Sequence, residues 1–232
     1  MSFRCLNEYN IKSNELDQIV KWIKGMPKSD KINYKNILSI NAGTGELDLY
    51  IFKLIPNIEK YNLIESSYDL YKKCIDKVFG NYKYQVSNCN LDDFTPDPYI
   101  IYDLIIFPNG INNINIFKDN INKFFKVLNK NGKIWIFTPT NKGIYEIQEQ
   151  FKNTEKFTID TDLINILNNS SYKIFRTHIP AQINIQEISK NIIDKILNKD
   201  CNINDINKIK DFLKKYDKYM DQPISVIIIS NK

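Results

Sequence analysis

Apolar residues along this chain follow two alternating patterns. Short unbroken runs such as "NILSI", "NLI" and "DLIIF" are separated by stretches in which apolar positions recur every three or four residues. The first pattern predicts buried strands and the second amphipathic helices. In order, the spacing predicts a helix from Tyr9 to Lys24, carrying Ile11, Leu16, Ile19, Val20 and Ile23, with the Ser13 hydroxyl as a cap and a break at Gly25-Met26-Pro27. "NILSI" is the first strand, "ELDLYIFKLIP" a helix closed by Pro56, "KYNLIE" the second strand and Ser66 to Phe79 the next helix. "YKYQVSN" is the third strand. After the turn-rich "DDFTPDP" comes "YIIYDLIIF", the fourth. Lys118 to Leu128 is helical, Asn129 to Gly132 a turn and "KIWIFTP" the fifth strand. A helix from Thr161 to Asn168, a strand near Tyr172 to Thr177, a polar helical insertion at about Gln186 to Met220 and the closing strand "PISVIIIS" complete the pattern.

Strands alternating with helices predict an α/β protein whose parallel strands are covered on both faces. No repeat of fixed period appears, and no low-complexity linker divides the chain. A single domain over residues 1–232 is therefore expected, with a helical lid at 1–30, halves at 31–140 and 141–232, and the insertion at about 186–220.

Composition narrows the function classes. The 32 Lys and Arg are offset by 27 Asp and Glu, and the lysines are dispersed along helices, as on a solvated surface. Nucleic-acid binding would call for a tighter basic cluster, so none is expected. The four cysteines are far apart, no CxxC pair exists, and His178 is the sole histidine, which argues against zinc. A lone histidine at a strand end reads as structural. No apolar run approaches the roughly 20 residues needed to span a bilayer. The first residues lack the apolar core of a secretory signal. A cytoplasmic monomer with no membrane partner is the expectation.

Only seven glycines occur, yet Gly43 and Gly45 stand together between the first strand and its helix. Glycine at such a turn permits positive φ and close approach of a ligand to the backbone, and the helix beyond offers free N–H groups. In doubly wound sheets that turn borders the ligand crevice. Glu65 ends the second strand twenty positions after Gly45, where an acid can accept ribose hydroxyls. The third glycine of a dinucleotide fingerprint is replaced by Asp48. With Glu46 also acidic, the turn suits a ligand with cationic groups better than a pyrophosphate.

These features, with "ILSINAGTGE", "NLIESS", "VSNCNLDDF", "YDLIIFPNGINN" and "FKVLNKNGKIWIF", resemble the class I S-adenosylmethionine-dependent methyltransferases over most of the chain. The resemblance implies a doubly wound, seven-stranded, mostly parallel Rossmann-like sheet. It has an N-terminal helix and a helical insertion before the last strand, which lies antiparallel between strands five and six. It implies S-adenosylmethionine as cofactor, with Asn41, Gly43, Gly45, Glu46, Glu65, Ser66, Asn88, Cys89 and Pro108 as its contacts. Ser39 stands where the family has an acid, and Asn41 where it has its first glycine.

More narrowly, Ser13-Asn14-Glu15, "GELDL" and the long late insertion resemble the histamine N-methyltransferases. That likeness implies a small-molecule substrate contacted by Glu15, Asn109, Asn112 and Gln222, with Glu15 and Asn109 at the reacting centre. Asn112, Asn113, Ile144 and Gln148 replace that family's aromatic wall, so a hydrophilic amine is expected rather than a stacked ring. Methylation of an amine or imidazole nitrogen is the leading expectation. Cyclisation or aminocarboxypropyl transfer with the same cofactor, and a non-catalytic protein retaining the fold, stay open.

Overall fold

The computed structural model describes residues 13–111, 113–151, 159–168, 172–189, 193–194, 197 and 201–231. The chain opens with α1 (Glu15–Gly25) and a short α2 (Lys28–Lys31). Then follow β1 (Asn36–Ile40), α3 (Glu46–Leu54), β2 (Lys60–Glu65), α4 (Tyr68–Val78), β3 (Tyr84–Asn88) and β4 (Tyr102–Phe107). The second half contains α5 (Ile114–Val127), β5 (Leu128–Pro139), α6 (Ile144–Gln150), α7 (Asp160–Leu167), β6 (Lys173–Ile179), β7 (Gln182–Asn184), α8 (Ile203–Leu213), β8 (Tyr219–Asp221) and β9 (Ile224–Ser230).

Seven strands form one sheet in the order β3-β2-β1-β4-β5-β9-β6. All neighbours are parallel except β9, which runs antiparallel between β5 and β6. This is the topology the resemblance implied. Because the order reverses between β1 and β4, the carboxyl ends of those strands border a crevice where ligands bind in such sheets.

Strand alternation divides the apolar residues between two cores. Ile37, Leu104, Ile106, Trp135, Phe137 and Val226 face α1, α3, α6 and α8, meeting Ile19, Ile23, Ile51, Ile144 and Ile209. Leu38, Ile40, Ile105, Phe107, Ile134, Ile136 and Ile227 face α5 and α7, meeting Phe117, Phe124 and Leu163. Both faces of the central strands are dry, which explains their near-continuous apolar sequences.

Several elements differ from expectation. Helix α1 begins at Glu15; residues 9–12 of the predicted helix lie outside the described residues. Asn14, not Ser13, is the N-cap residue, although the Ser13 hydroxyl accepts the Glu15 N–H at 3.1 Å. The expected turn at 129–132 lies within β5, where the pairing jumps from Tyr102–Leu128 to Leu104–Lys133. The extra residues bulge, as an Asn/Gly-rich segment can, without ending the strand. The late insertion is not wholly helical. It contains α8, but its end, β8, pairs antiparallel with β7 in a separate two-stranded ribbon. That pairing is long-range, and three-residue strands carry almost no periodicity. Helix α6 went unpredicted because seven residues give barely two turns.

Trp135 anchors the first core. It is fully buried, with edge contacts to Trp22 and Tyr34 at ring separations of 5.6 and 5.5 Å. Trp135→Ala should cost about 3–5 kcal/mol. Urea unfolding should show this as a lower midpoint.

Candidate functional site

The β1–α3 turn is built from three left-handed residues: Asn41 (φ 59°), Gly43 (φ 62°) and Gly45 (φ 71°). Asparagine is the side chain that best tolerates this conformation, so Asn41 keeps the backbone course that glycine would take. Crowding requires glycine at the other two. A Cβ on Gly43 would lie 2.8 Å from Asn109 Nδ2, and one on Gly45 would lie 2.7 Å from Cys74 Sγ. The left-handed backbone and these close side-chain neighbours together favour glycine at both positions. Burial, with help from Asp48 and Glu65, pushes the Cys74 thiol up to about 12, so it packs as a neutral side chain.

Glu65 ties two turns together. Its Oε2 accepts the Gly43 N–H at 2.7 Å and its Oε1 accepts the Ser67 N–H at 2.8 Å. The side chain is buried, and each oxygen retains a second lone pair for a further donor. Asn88, at the end of β3, donates through Nδ2 to the carbonyls of Glu65 and Ser66 at 2.8 and 3.0 Å. Its amide thus braces the β2 end.

The β4 end is clamped to the same turn. Pro108 and Asn109 are buried. Asn109 Nδ2 donates to the Asn41 carbonyl at 2.6 Å, and Asn41 Nδ2 donates to the Gly110 carbonyl at 3.3 Å. The polar end of Asn109 that sequence assigned to a substrate is therefore engaged with the protein backbone. Its second N–H and its carbonyl oxygen are the capacity left for a ligand.

Between these turns lies a cavity of about 280 Å³, lined by Asn41, Ser66, Asn90, Leu91, Asp92, Asp93, Ile111, Asn113 and Ile116. Apolar Leu91, Ile111 and Ile116 offer contact to a flat ring, and the carboxylates and amides offer hydrogen bonds at its edge. The volume is near the lower end of small-molecule sites. Cys89 is half-buried and packs against the second core, and burial raises its thiol pKa. Glu46 opens α3 and is half-buried.

The acidic-turn argument needs correcting at Asp48. This residue is fully buried and its Oδ1 accepts the Tyr61 hydroxyl at 2.9 Å. It points into the protein, so only Glu46 can present an acid at the start of α3. Sequence could not tell which face of the first helical turn met the sheet.

A second polar region lies past β4, over β5 and β9. Glu15 and Gln222 are both buried here. The N-terminus of α1 is stitched to β7: the Asn14 N–H bonds the Gln182 carbonyl at 3.2 Å, and the Gln182 N–H bonds Asn14 Oδ1 at 2.8 Å. Gln222 bonds Ala181 and Ile144 at 2.8 Å each. A cavity of about 330 Å³ is lined by Asn14, Gln18, Lys142, Ala181, Gln182 and Asp221, with Pro180 and Pro223. Residues flanking both Glu15 and Gln222 thus share one cavity, whereas Asn109 stands with the other. Asn112 lies outside the described residues. The sequence reading missed Lys142 and Asp221. The available signal was Gly143, a rare glycine (φ 72°) just after β5, where a Cβ would come within 2.0 Å of Gln222 Oε1.

His178 sits apart, at the β6 edge, half-exposed and 3.3 Å from Asp160 Oδ2, which also accepts from Arg176. Among the described residues no group of three or more His, Cys, Asp or Glu side chains could hold a metal, and no helix is long and apolar enough to cross a membrane.

Replacing Glu65 by Ala strands the buried Gly43 N–H and loosens the Ser67 turn. A loss of about 2 kcal/mol is expected, since unsatisfied buried donors cost about 1–3 kcal/mol each. Chemical denaturation without any ligand measures it.

No protein-family model matches the chain, and no curated protein is similar to it in sequence. Solved structures are similar in fold. The YcgJ protein of Bacillus subtilis superposes with a TM-score of 0.61 at 10% identity, covering 94% of this chain and 98% of its own. The N-methyltransferase NodS of Bradyrhizobium japonicum superposes at 0.58 with 11% identity, covering 94% and 98%. A SAM-dependent methyltransferase of Leishmania major superposes at 0.58 with 12% identity, covering 93% and 71%. With its strand order and antiparallel β9, the chain has the class I methyltransferase fold.

Proposed function

We propose that the chain is an S-adenosylmethionine-dependent methyltransferase acting on a nitrogen of a small polar molecule. The observation that carries this reading is the joined construction at the β1, β2 and β4 ends. A left-handed turn, a buried acid and a ring-sized cavity meet there, over the end of the sheet that binds ligands in this architecture. The residues fit the cofactor. The cavity walls Leu91, Ile111 and Ile116 suit an adenine face, and the second lone pairs of Glu65 suit ribose hydroxyls. The N–H groups opening α3 carry no side-chain cap, and Glu46 beside them suits an ammonium. When bound, S-adenosylmethionine supplies an activated methyl group on a cationic sulfur.

The chain's own contribution is position and protonation. Asn109 and Asn41 hold the β4 and β1 ends in one register, which sets where an acceptor could approach. An amine must be neutral to act as a nucleophile, and a buried carboxylate such as Glu15 can hold the ammonium form and help remove its proton. The narrower likeness to histamine N-methyltransferases rests on the "Ser-Asn-Glu" start and the late insertion. The fold of NodS, an N-methyltransferase, is compatible with it. Asn41 keeps the left-handed turn that the family's first glycine would make, which supports a cofactor loop at this place.

Calorimetry should show S-adenosylmethionine and S-adenosylhomocysteine binding to the wild-type chain. Glu65→Gln should weaken that binding at least tenfold, about 1.4 kcal/mol. Tighter binding of NAD would overturn the assignment. In an assay for S-adenosylhomocysteine release against small amines, Glu15→Gln should lower kcat/KM about tenfold or more and leave cofactor affinity unchanged. Full activity of this variant would place the acceptor elsewhere.

A further inference from the structure

Glycine would make the left-handed turn at position 41 without strain, so the turn alone does not account for an amide there. The Asn41 side chain bridges two strand ends: its Nδ2 donates to the Gly110 carbonyl at 3.3 Å. A carbonyl can only accept, so the group facing it is the NH₂ and the other end is the oxygen. Among the described residues that Oδ1 accepts no hydrogen bond, and it is not enclosed. Asn41 itself is half-buried and lines the 280 Å³ cavity. Asn109 repeats the arrangement. It is only 6% exposed and its Nδ2 is fixed on the Asn41 carbonyl, yet its Oδ1 likewise takes no donor among the described residues and stays open. That oxygen lies 3.8 Å from where a Cβ on Gly43 would stand. Two amide oxygens, each aimed by its own NH₂, are thus presented beside the glycine turn.

The cofactor reading sets what these oxygens would meet. It places the ribose at Glu65, on the β2 side, and the ammonium at Glu46, where α3 begins. The part of the cofactor between those two points carries the sulfur, and it then crosses the turn at residues 41–45. Asn41 and Asn109 border that crossing from the β4 side.

We infer that Asn41, with Asn109 beside it, is a specificity-determining residue that favours the cationic sulfonium cofactor over its neutral thioether product. The inference rests on the S-adenosylmethionine reading and deepens it. An amide oxygen is the negative end of a side-chain dipole, and a full positive charge close by is attracted to it. Hydrogens on the carbons beside a sulfonium also make weak C–H···O contacts to such oxygens. Methyl transfer leaves the sulfur as a neutral thioether, and both attractions fade. The two amides therefore act on the choice between cofactor and product, not on the transfer step itself.

The test compares three ligands on the full chain by calorimetry: S-adenosylmethionine, sinefungin, in which a charged amine replaces the methylsulfonium, and S-adenosylhomocysteine. The wild-type chain should bind both cationic ligands at least fivefold tighter than S-adenosylhomocysteine. Asn41→Gly keeps the left-handed turn and removes the amide, and it should cut that preference at least threefold. Asn41→Asp puts a full negative charge at the same place and should raise the preference at least threefold. A turn that was merely loosened would weaken all three ligands alike, so the ratio separates recognition from structure. No preference in the wild-type chain overturns the inference, and so does a ratio unchanged in Asn41→Gly. Where thermal denaturation shows that Asn41→Gly does not fold, the ratio in Asn41→Asp decides, and a ratio that stays level or falls overturns the inference. Failure of all three ligands to bind the wild-type chain overturns the cofactor reading, and the inference falls with it.

Discussion

The Glu65 carboxylate joins the two turns on which the candidate cofactor site depends. One oxygen holds the N–H of Gly43 and the other that of Ser67, so the loops after β1 and β2 cannot move independently. A buried carboxylate is costly unless its lone pairs are satisfied, and two backbone donors satisfy it. The same demand places the left-handed residues: only a turn that folds back at Asn41, Gly43 and Gly45 brings the Gly43 N–H to this acid. The acid thus shapes both turns and retains acceptor capacity for a ligand.

Asn41 and Asn109 extend this joint across β4. Each side-chain amide donates to the other strand's turn, at 3.3 and 2.6 Å, so the β1 and β4 ends are locked in one register. Beyond the lock, two polar cavities lie over the same end of the sheet, one toward β3 and the other toward β6. Dispersion of roles also follows. Residues named together as a substrate set are divided, with Asn109 in the rib and Glu15 and Gln222 buried next to residues that line the second cavity.

The second region shows how a late segment of chain completes an early one. The start of helix α1 is tied to the β7–β8 ribbon through Asn14 and Gln182. Residues more than 160 positions apart in sequence thus form one wall. The buried Gln222, Gly143 and Ile144 contact closes the other side, and a side chain at position 143 would break it.

The sequence by itself determined the architecture and the location of the first turn. Alternating short apolar runs and helical spacings can bury their surfaces in few ways, and a parallel sheet with two covered faces is the simplest. Positive-φ glycines and an acid at the next strand end are local features, so Gly43, Gly45 and Glu65 were legible before any packing was known. Tertiary structure decided the rest, because it depends on faces and distant pairings. Asp48 turned inward to Tyr61 since helix α3 presents that side to the sheet. Asn109 turned to a backbone carbonyl since β1 and β4 are neighbours. The β7–β8 ribbon arose from two three-residue segments too short to carry a period. Lys142 and Asp221 became neighbours of one cavity only because β9 inserts between β5 and β6. Charges on surface turns carry no signal of their partners until the sheet order brings the strand ends together.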